Sequence, residues 1–292
     1  MTFENEIISC IRQYNPEIEI INEPCLVCTS VHVHSKNMVF HLLPIPFAGL
    51  KDLSSAYFQE KSLEYASQGV QLVHLWQDSW VLRQEIVRSR IAALSGTCVR
   101  IHARQTKVQR IAKDDICGFF VVNHLQGAVN ARYNYGLYLG GQMIAAASFS
   151  AGRTVVRGGV ACRSFELLRY ASLLHHRVVG GLGKLLARFI KEVKPDDVMT
   201  YADLDWASGK GYQALNFKQM AISPPQTFWI HPSEMIRYYP HRVPLQLTDE
   251  FRRQNKHTNM DDFLKDKGYL MIYNAGNLKY LFILSGKNET VI

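Results

Sequence analysis

Apolar and polar positions change period repeatedly along the chain, and each change marks an element. In "FENEIISCIRQY" the apolar residues recur at helical spacing. "EIEIIN", "CLVCTSVHVHS" and "MVFHLLPI" alternate or run apolar, as strands do. "LKDLSSAYFQEKSLEYASQG" predicts a helix closed by Gly69, and "VQLVHLW" a buried strand. "DSWVLRQEIVRSRIAALSG" predicts a second helix, with Asp78 or Ser79 as N-cap and Gly96 past its end.

After Gly96 the pattern restarts. "VRIHARQTKVQRI" reads as extended and "KDDICGFFVVNHL" as helical. "ARYNYGLYLGGQMIAAASFSA" reads as a hairpin turning at Gly140 and Gly141. "SFELLRYA" is a strand, "GGLGKLLARFIKEVK" an amphipathic helix that begins on glycines, and "DDVMTYAD" and "QTFWIHP" are strands. Beyond Pro240 the chain is more polar, then closes on "GYLMIYNAGNLKYLFIL". The expected fold class is α/β (α+β), with domains over 1–97 and 98–240 and a C-terminal extension over 241–292.

At 292 residues, two domains are the first expectation, and a hydrophobic fraction of 47% supports a buried core. No apolar run reaches the length of a membrane span, and the N-terminal "MTFENEIISCIRQYNPE" lacks the apolar core of a signal peptide, so a cytoplasmic location is expected. The six cysteines are scattered and would stay reduced there. A net charge of +8 suits a polyanionic partner, DNA foremost.

"VVGGLGKLLARFI" combines a strand, a glycine turn and a helix start. Gly180, Gly181 and Gly183 let backbone N–H groups approach a ligand closely, and a helix N-terminus favours phosphate. Val179, Leu182 and Lys184 complete the candidate loop. The order hairpin, strand, glycine-led helix, strand, glycine-containing turn, tyrosine-bearing short helix, strand resembles the GNAT acyltransferase fold. That resemblance implies acetyl-CoA or another acyl-CoA, its pyrophosphate cradled by Gly181, Leu182 and Gly183. "GYQALNF" is similar to the family's Tyr-x-x-x-Gly-Phe element, with Asn216 where glycine is usual. Tyr212 would then protonate the departing thiolate. Val178 stands where the family usually has Gln or Arg, with Arg177 one position earlier.

"YGLYLGGQMIAAASF", "FELLRY" and "YADLDWASGKGYQALNF" resemble more particularly the Mom-type DNA-modification proteins of phages. The same words, together with "GVQLVHLWQDSWVLRQEIVRSRI", "RIHARQTKV", "NHLQG" and "GYLMIYNAGNLKY", resemble phage homing-endonuclease-like proteins across roughly residues 50–284. Those relatives imply an N-terminal half of the very-short-patch-repair, PD-(D/E)xK nuclease type. Such chemistry needs acids on central strands to hold Mg²⁺. The strands from Leu26 to Ile45 contain none, and Glu23 and Asp78 only flank them, so this half reads as nuclease-like without cleavage.

For base modification, a carboxylate that accepts the amine's proton or hydrogen bond would help. Asp203, at the end of "VMTYAD", is the first candidate, with Asp205 behind it; Glu166 and the "NHLQG" residues Asn123 and His124 follow. Arg83 and Arg90, seven apart on one predicted helix, Arg104, Arg237 and Arg242 are candidate DNA contacts. Cys25, Cys28, His32 and His34 form a weaker zinc candidate. The leading expectation is an acyl-CoA-dependent transferase that modifies DNA bases, the adenine amine favoured. The rivals are a Mg²⁺-dependent nuclease and a DNA-binding protein without catalysis.

Overall fold

A computed structural model describes residues 2–23, 28–47, 49, 53–253 and 259–284. The chain forms two units, each assembled from several segments. One comprises residues 1–84, 203–208 and 223–277; the other comprises 85–202, 209–222 and 278–292.

The first unit opens with α1 (Phe3–Tyr14), whose N-cap Thr2 accepts from the Asn5 amide and whose buried stripe is Phe3, Ile7, Ile8, Cys10 and Ile11. Next come β1 (Glu19–Glu23), β2 (Cys28–Val33), β3 (Met38–Leu43), α2 (Tyr57–Ser67) and β4 (Gln71–Trp76). They make a four-stranded sheet in the order β1-β2-β3-β4. The first three strands pair antiparallel, while β4 returns through α2 to lie parallel to β3. β3 is buried at every position, which suits a central strand covered on both faces. This is the αβββαβ order that the apolar pattern predicts.

Helix α3 (Gln77–Ser95) departs from prediction. It breaks at Arg83, where φ −140° and ψ 37° leave the helical region, and the first unit ends one residue later. Arg83 and Arg90 therefore do not share one continuous helical face.

The second unit continues with β5 (Val99–His102), β6 (Lys107–Arg110), α4 (Lys113–Asn123), β7 (Tyr133–Leu139), β8 (Gln142–Phe149), β9 (Arg153–Arg157), β10 (Val160–Ser172), β11 (His176–Val179), α5 (Gly181–Val193), β12 (Asp197–Asp203), α6 (Lys210–Gln213) and β13 (Lys218–Ser223). The 98–110 stretch is two short strands around a 3₁₀ turn, not one extended run. The predicted hairpin forms, with Gly140 and Gly141 at φ 57° and 85°.

The chain then returns to the first unit with β14 (Thr227–Ile230), β15 (Arg237–Tyr238), α7 (Leu245–Arg253), α8 (Met260–Asp266) and β16 (Leu270–Tyr273). These build a three-stranded sheet, β15-β14-β16, and a small core of Trp229, Phe263, Leu264 and Tyr269. The last described strand, β17 (Asn277–Ile283), lies in the eight-stranded sheet of the second unit. Its order is β13-β17-β12-β10-β8-β7-β6, with β9 on β10.

The closing "GYLMIYNAGNLKYLFIL" is thus two strands that go to different units. The stretch 241–292 is not an appended tail, and the first boundary falls near residue 84 instead of 97. Among the described residues no helix is long and apolar enough to cross a membrane.

Candidate functional site

Two neighbouring strands in the sheet of the second unit part. β10 and β12 run parallel and pair only from Ser164↔Asp197 to Leu167↔Thr200, although β10 continues to Ser172 and β12 to Asp203. Beyond Thr200 the two strands part at their carboxyl ends. Such a gap is where ligands enter α/β sheets. A bulge between Leu167 and Arg169, in the pairing of β10 with β8, falls at the same level of the strand. The bulge also resets the alternation of β10. Phe165 packs on Phe189 of α5, and past the bulge Tyr170 also reaches α5, at Gly181, while Ala171 joins Ile116 and Phe120 of α4.

The glycine turn stands beside this gap. Gly180 adopts φ 75°, a left-handed conformation that only glycine takes without strain. The first intrahelical bond of α5 runs from the Lys184 amide to the Gly180 carbonyl at 3.0 Å, so the amides of Gly181, Leu182 and Gly183 lie outside the ladder. A Cβ on Gly181 would come 2.8 Å from the Tyr170 hydroxyl and 3.0 Å from Val178, and one on Gly183 would come 3.1 Å from Leu215. The backbone therefore comes close to its neighbours at both positions. Val178 is buried and pairs with Ile101 of β5; it is a packing residue. Val179, the last residue of that strand, is exposed. Lys184 does not face a ligand. Its Nζ donates to the carbonyls of Ala103 at 2.8 Å and Thr106 at 2.5 Å, tying α5 to the turn between β5 and β6.

Tyr212, on α6, contributes its phenol to the same region. Its hydroxyl bonds with Thr200, the last residue paired across β10 and β12, and Thr200 donates onward to the Leu167 carbonyl at 3.0 Å. Burial raises the Tyr212 phenol above its usual range, against the Thr200 bond and the charge of Arg90, which pull it down. Tyr170 is raised in the same way, opposed by Ser172 and Arg177. Both phenols keep their protons at neutral pH. Asn216 sits at φ 63°, the left-handed conformation that asparagine tolerates best among side-chain-bearing residues. Asparagine therefore holds this left-handed turn without glycine.

The candidate acids and bases separate. Glu166 lies between Phe165 and Leu167, so alternation points it away from α5. Burial raises its carboxyl, opposed by Arg153, Arg169 and Lys279. His124 caps α4; burial lowers it to about 3, with Arg169 and Arg90 adding repulsion. An imidazole that weakly basic is a poor proton acceptor, and its Nδ1 already accepts from the Gln126 amide at 3.1 Å. Asn123 is likewise engaged, accepting from the Leu174 amide at 2.8 Å.

Asp203 and Asp205 belong to a turn of the first unit. Asp203 Oδ1 accepts from the Asp205 amide at 3.0 Å, and Asp205 Oδ1 accepts from the Ala275 amide at 2.7 Å. Burial, then the Asp203 charge, raises the Asp205 carboxyl well above its ordinary value. The same unit holds Asp78 in a bidentate ion pair with Arg237, at 2.7 and 2.8 Å. Asp78, which only flanks the central strands, is thus neutralised by a guanidinium, and Arg237, expected as a DNA contact, is largely covered. Arg104 and Arg242 are exposed, Arg242 over the Tyr239 ring at 6.0 Å. Arg90 is half-buried. Of the zinc candidates, Cys25 lies outside the described residues. Cys28 lies four strand residues from His32, about 13 Å away, too far to share an ion with it.

No family model and no curated protein matches the chain. Among solved structures, it is similar to Eis1 from Mycobacterium abscessus (16% identity over 43% of this chain and 34% of that one, TM-score 0.34). It is similar to the ribosomal-protein-S18-alanine N-acetyltransferase from Escherichia coli (14%, 64% and 99%, TM-score 0.35). It is also similar to a Bacillus subtilis acetyltransferase in complex with CoA (10%, 61% and 99%, TM-score 0.34). The chain spans about a third of the length of Eis1.

Proposed function

We propose that the second unit is a GNAT-like acyltransferase that takes an acyl-coenzyme A and acylates an amine, with a DNA base, adenine favoured, as acceptor. The observation that carries this reading is the opening between β10 and β12, with the glycine turn of α5 beside it and the Tyr212 hydroxyl anchored at Thr200. The amides of Gly181 and Gly183 fit a pyrophosphate, because they stand outside the helix ladder at its positive end, while the Leu182 amide faces the Tyr170 hydroxyl. Lys184 takes no part in that contact.

The coenzyme would supply an activated thioester. Tyr212, held neutral by burial, would give its proton to the departing sulfur. Glu166, with its carboxyl raised, would relay the proton lost by the amine. The acceptor assignment rests on the resemblance of "YADLDWASGKGYQALNF" and "FELLRY" to Mom-type proteins, together with the net charge of +8. The first unit, with its αβββαβ order and its Asp78 neutralised, is read as a nuclease-like module that positions DNA without cutting it.

Two measurements test the proposal. Calorimetric titration of acetyl-CoA into the protein is expected to give one site per chain; absence of heat with acetyl-CoA, longer acyl-CoAs and CoA would reject the transferase reading. Mass spectrometry of nucleosides from DNA of expressing cells is expected to show an acyl-derived adenine, and unmodified DNA alongside firm acyl-CoA binding would move the acceptor to another amine.

A further inference from the structure

We infer that Glu19, His32 and His34 form a binding site for a divalent first-row transition ion, Zn²⁺ foremost, on the β1 edge of the first unit. The site arises from strand register. Glu19 stands directly opposite His32 in the antiparallel β1–β2 pair, and opposed residues project from the same face. His34 follows two residues later, at the start of a 3₁₀ turn, and so returns to that face. Its Nε2 lies 2.8 Å from Glu19 Oε2, and the two imidazole rings are 5.8 Å apart. One ligand atom from each of the three lies within 4.8 Å of the others. Bonds of about 2.0–2.2 Å around one ion need donors slightly closer than that. Small rotations of Glu19 and His34, both exposed, would achieve it.

The donor set has chemical meaning. Two imidazoles and one carboxylate are the three protein ligands of open, water-bearing zinc sites, and they also suit Co²⁺ and Ni²⁺. They do not suit Mg²⁺, which prefers oxygen alone. A half-open cleft of about 330 Å³, lined by both histidines, gives an ion room for its remaining ligands and a route in. Lys61, also on the cleft wall, is offset by Glu64 at 2.8 Å. Stability alone gives little reason for the arrangement, since an exposed His–Glu pair is screened by solvent and contributes little.

The test is titration of Zn²⁺, and separately Co²⁺, into the chelator-treated full-length protein at neutral pH. One ion per chain is expected. Glu19→Gln and His34→Ala should each weaken it by more than the roughly 10–100-fold that loss of an outer-shell partner costs, and Cys28→Ser should leave it unchanged. Both altered residues are exposed, so circular dichroism should show an unchanged fold. Binding should weaken as pH falls, because imidazole ligands bind only when neutral. Substoichiometric binding, wild-type affinity in the Glu19→Gln/His34→Ala double variant, or loss of the ion in Cys28→Ser would each overturn the site. Acetyl-CoA titration of the same variants should be unaffected, which separates failure of this site from failure of the transferase reading.

Discussion

Arg237 grips Asp78 with two hydrogen bonds, Nε to Oδ2 at 2.7 Å and Nη2 to Oδ1 at 2.8 Å, while its guanidinium lies 5.5 Å from the centre of the Trp76 ring. The pair joins the start of α3 to β15 inside the first unit, and Asp205 adds a further electrostatic contact to Arg237. Removing one partner strands the other charge in a poorly solvated place. Asp78→Ala and Arg237→Ala should each cost about 3–5 kcal/mol, read as a shift in the urea midpoint. The double variant should cost less than the sum of the two. Additive losses would show that the pair does not act as a unit.

Tyr212→Phe keeps the ring that packs on Phe217 and Tyr280, at 5.7 and 5.5 Å, and removes only the hydroxyl. If that hydroxyl protonates the leaving thiolate, kcat for acyl transfer should fall on the order of 10²-fold with the acyl-CoA affinity little changed. A drop in affinity with intact kcat would make Tyr212 a binding residue instead.

Two buried histidines make the first unit acid-sensitive. Burial, with repulsion from His32 and Lys61, lowers His41 to about 4, and burial lowers His74 well below its usual value. Each is neutral when folded and takes up a proton when unfolded, at a pKa near 6.5. Their contribution to stability is therefore fully present above about pH 6.5 and is lost as pH falls below it, for His41 down to about 4. For His41 the loss is about 2 kcal/mol at pH 5. Urea midpoints between pH 7.5 and 5 should fall accordingly, and the slope should flatten in His41→Gln. An unchanged slope would contradict the burial argument.

Gly209→Ala probes the loop that carries α6. Gly209 sits at φ 73°, and a Cβ there would lie 1.9 Å from the Tyr280 hydroxyl. Left-handed strain and overpacking together should cost about 2–5 kcal/mol of stability. Gly211→Ala, two residues on, meets nothing within 4 Å and should be close to neutral. Equal stabilities for the two variants would refute the close approach of Tyr280.

Much of the fold was legible because its signals are local. The stripe of α1, the period of β2–β4, the Gly140-Gly141 turn and the glycine entry to α5 each depend on a few neighbouring residues. What escaped depends on partners far along the chain. The register of β1 against β2 brings Glu19 to the histidines in place of Cys28, and nothing near Glu19 announces it. Lys184 looked available beside the glycines, yet carbonyls some eighty residues earlier take its protons. Asp203 reads as the end of a strand at a site, but its carboxylate closes the turn that follows. The break at Arg83 has no proline or glycine to mark it. Among the acids and tyrosines proposed for catalysis, Tyr212 lies beside Thr200, the last residue paired across β10 and β12, whereas Glu166 stands within the paired stretch, opposite Met199.

The order of β13, β17 and β12 in the sheet carries a consequence for how the protein is made. Residues 223–277 leave for the first unit before the chain supplies the strand that fills the gap between β12 and β13. The sheet can therefore close only after β17 has been made, and a nascent chain stopped before residue 277 would expose two unsatisfied strand edges. No single cut divides the polypeptide into two self-sufficient halves, so fragments split anywhere within 85–277 should be recovered together or as aggregates.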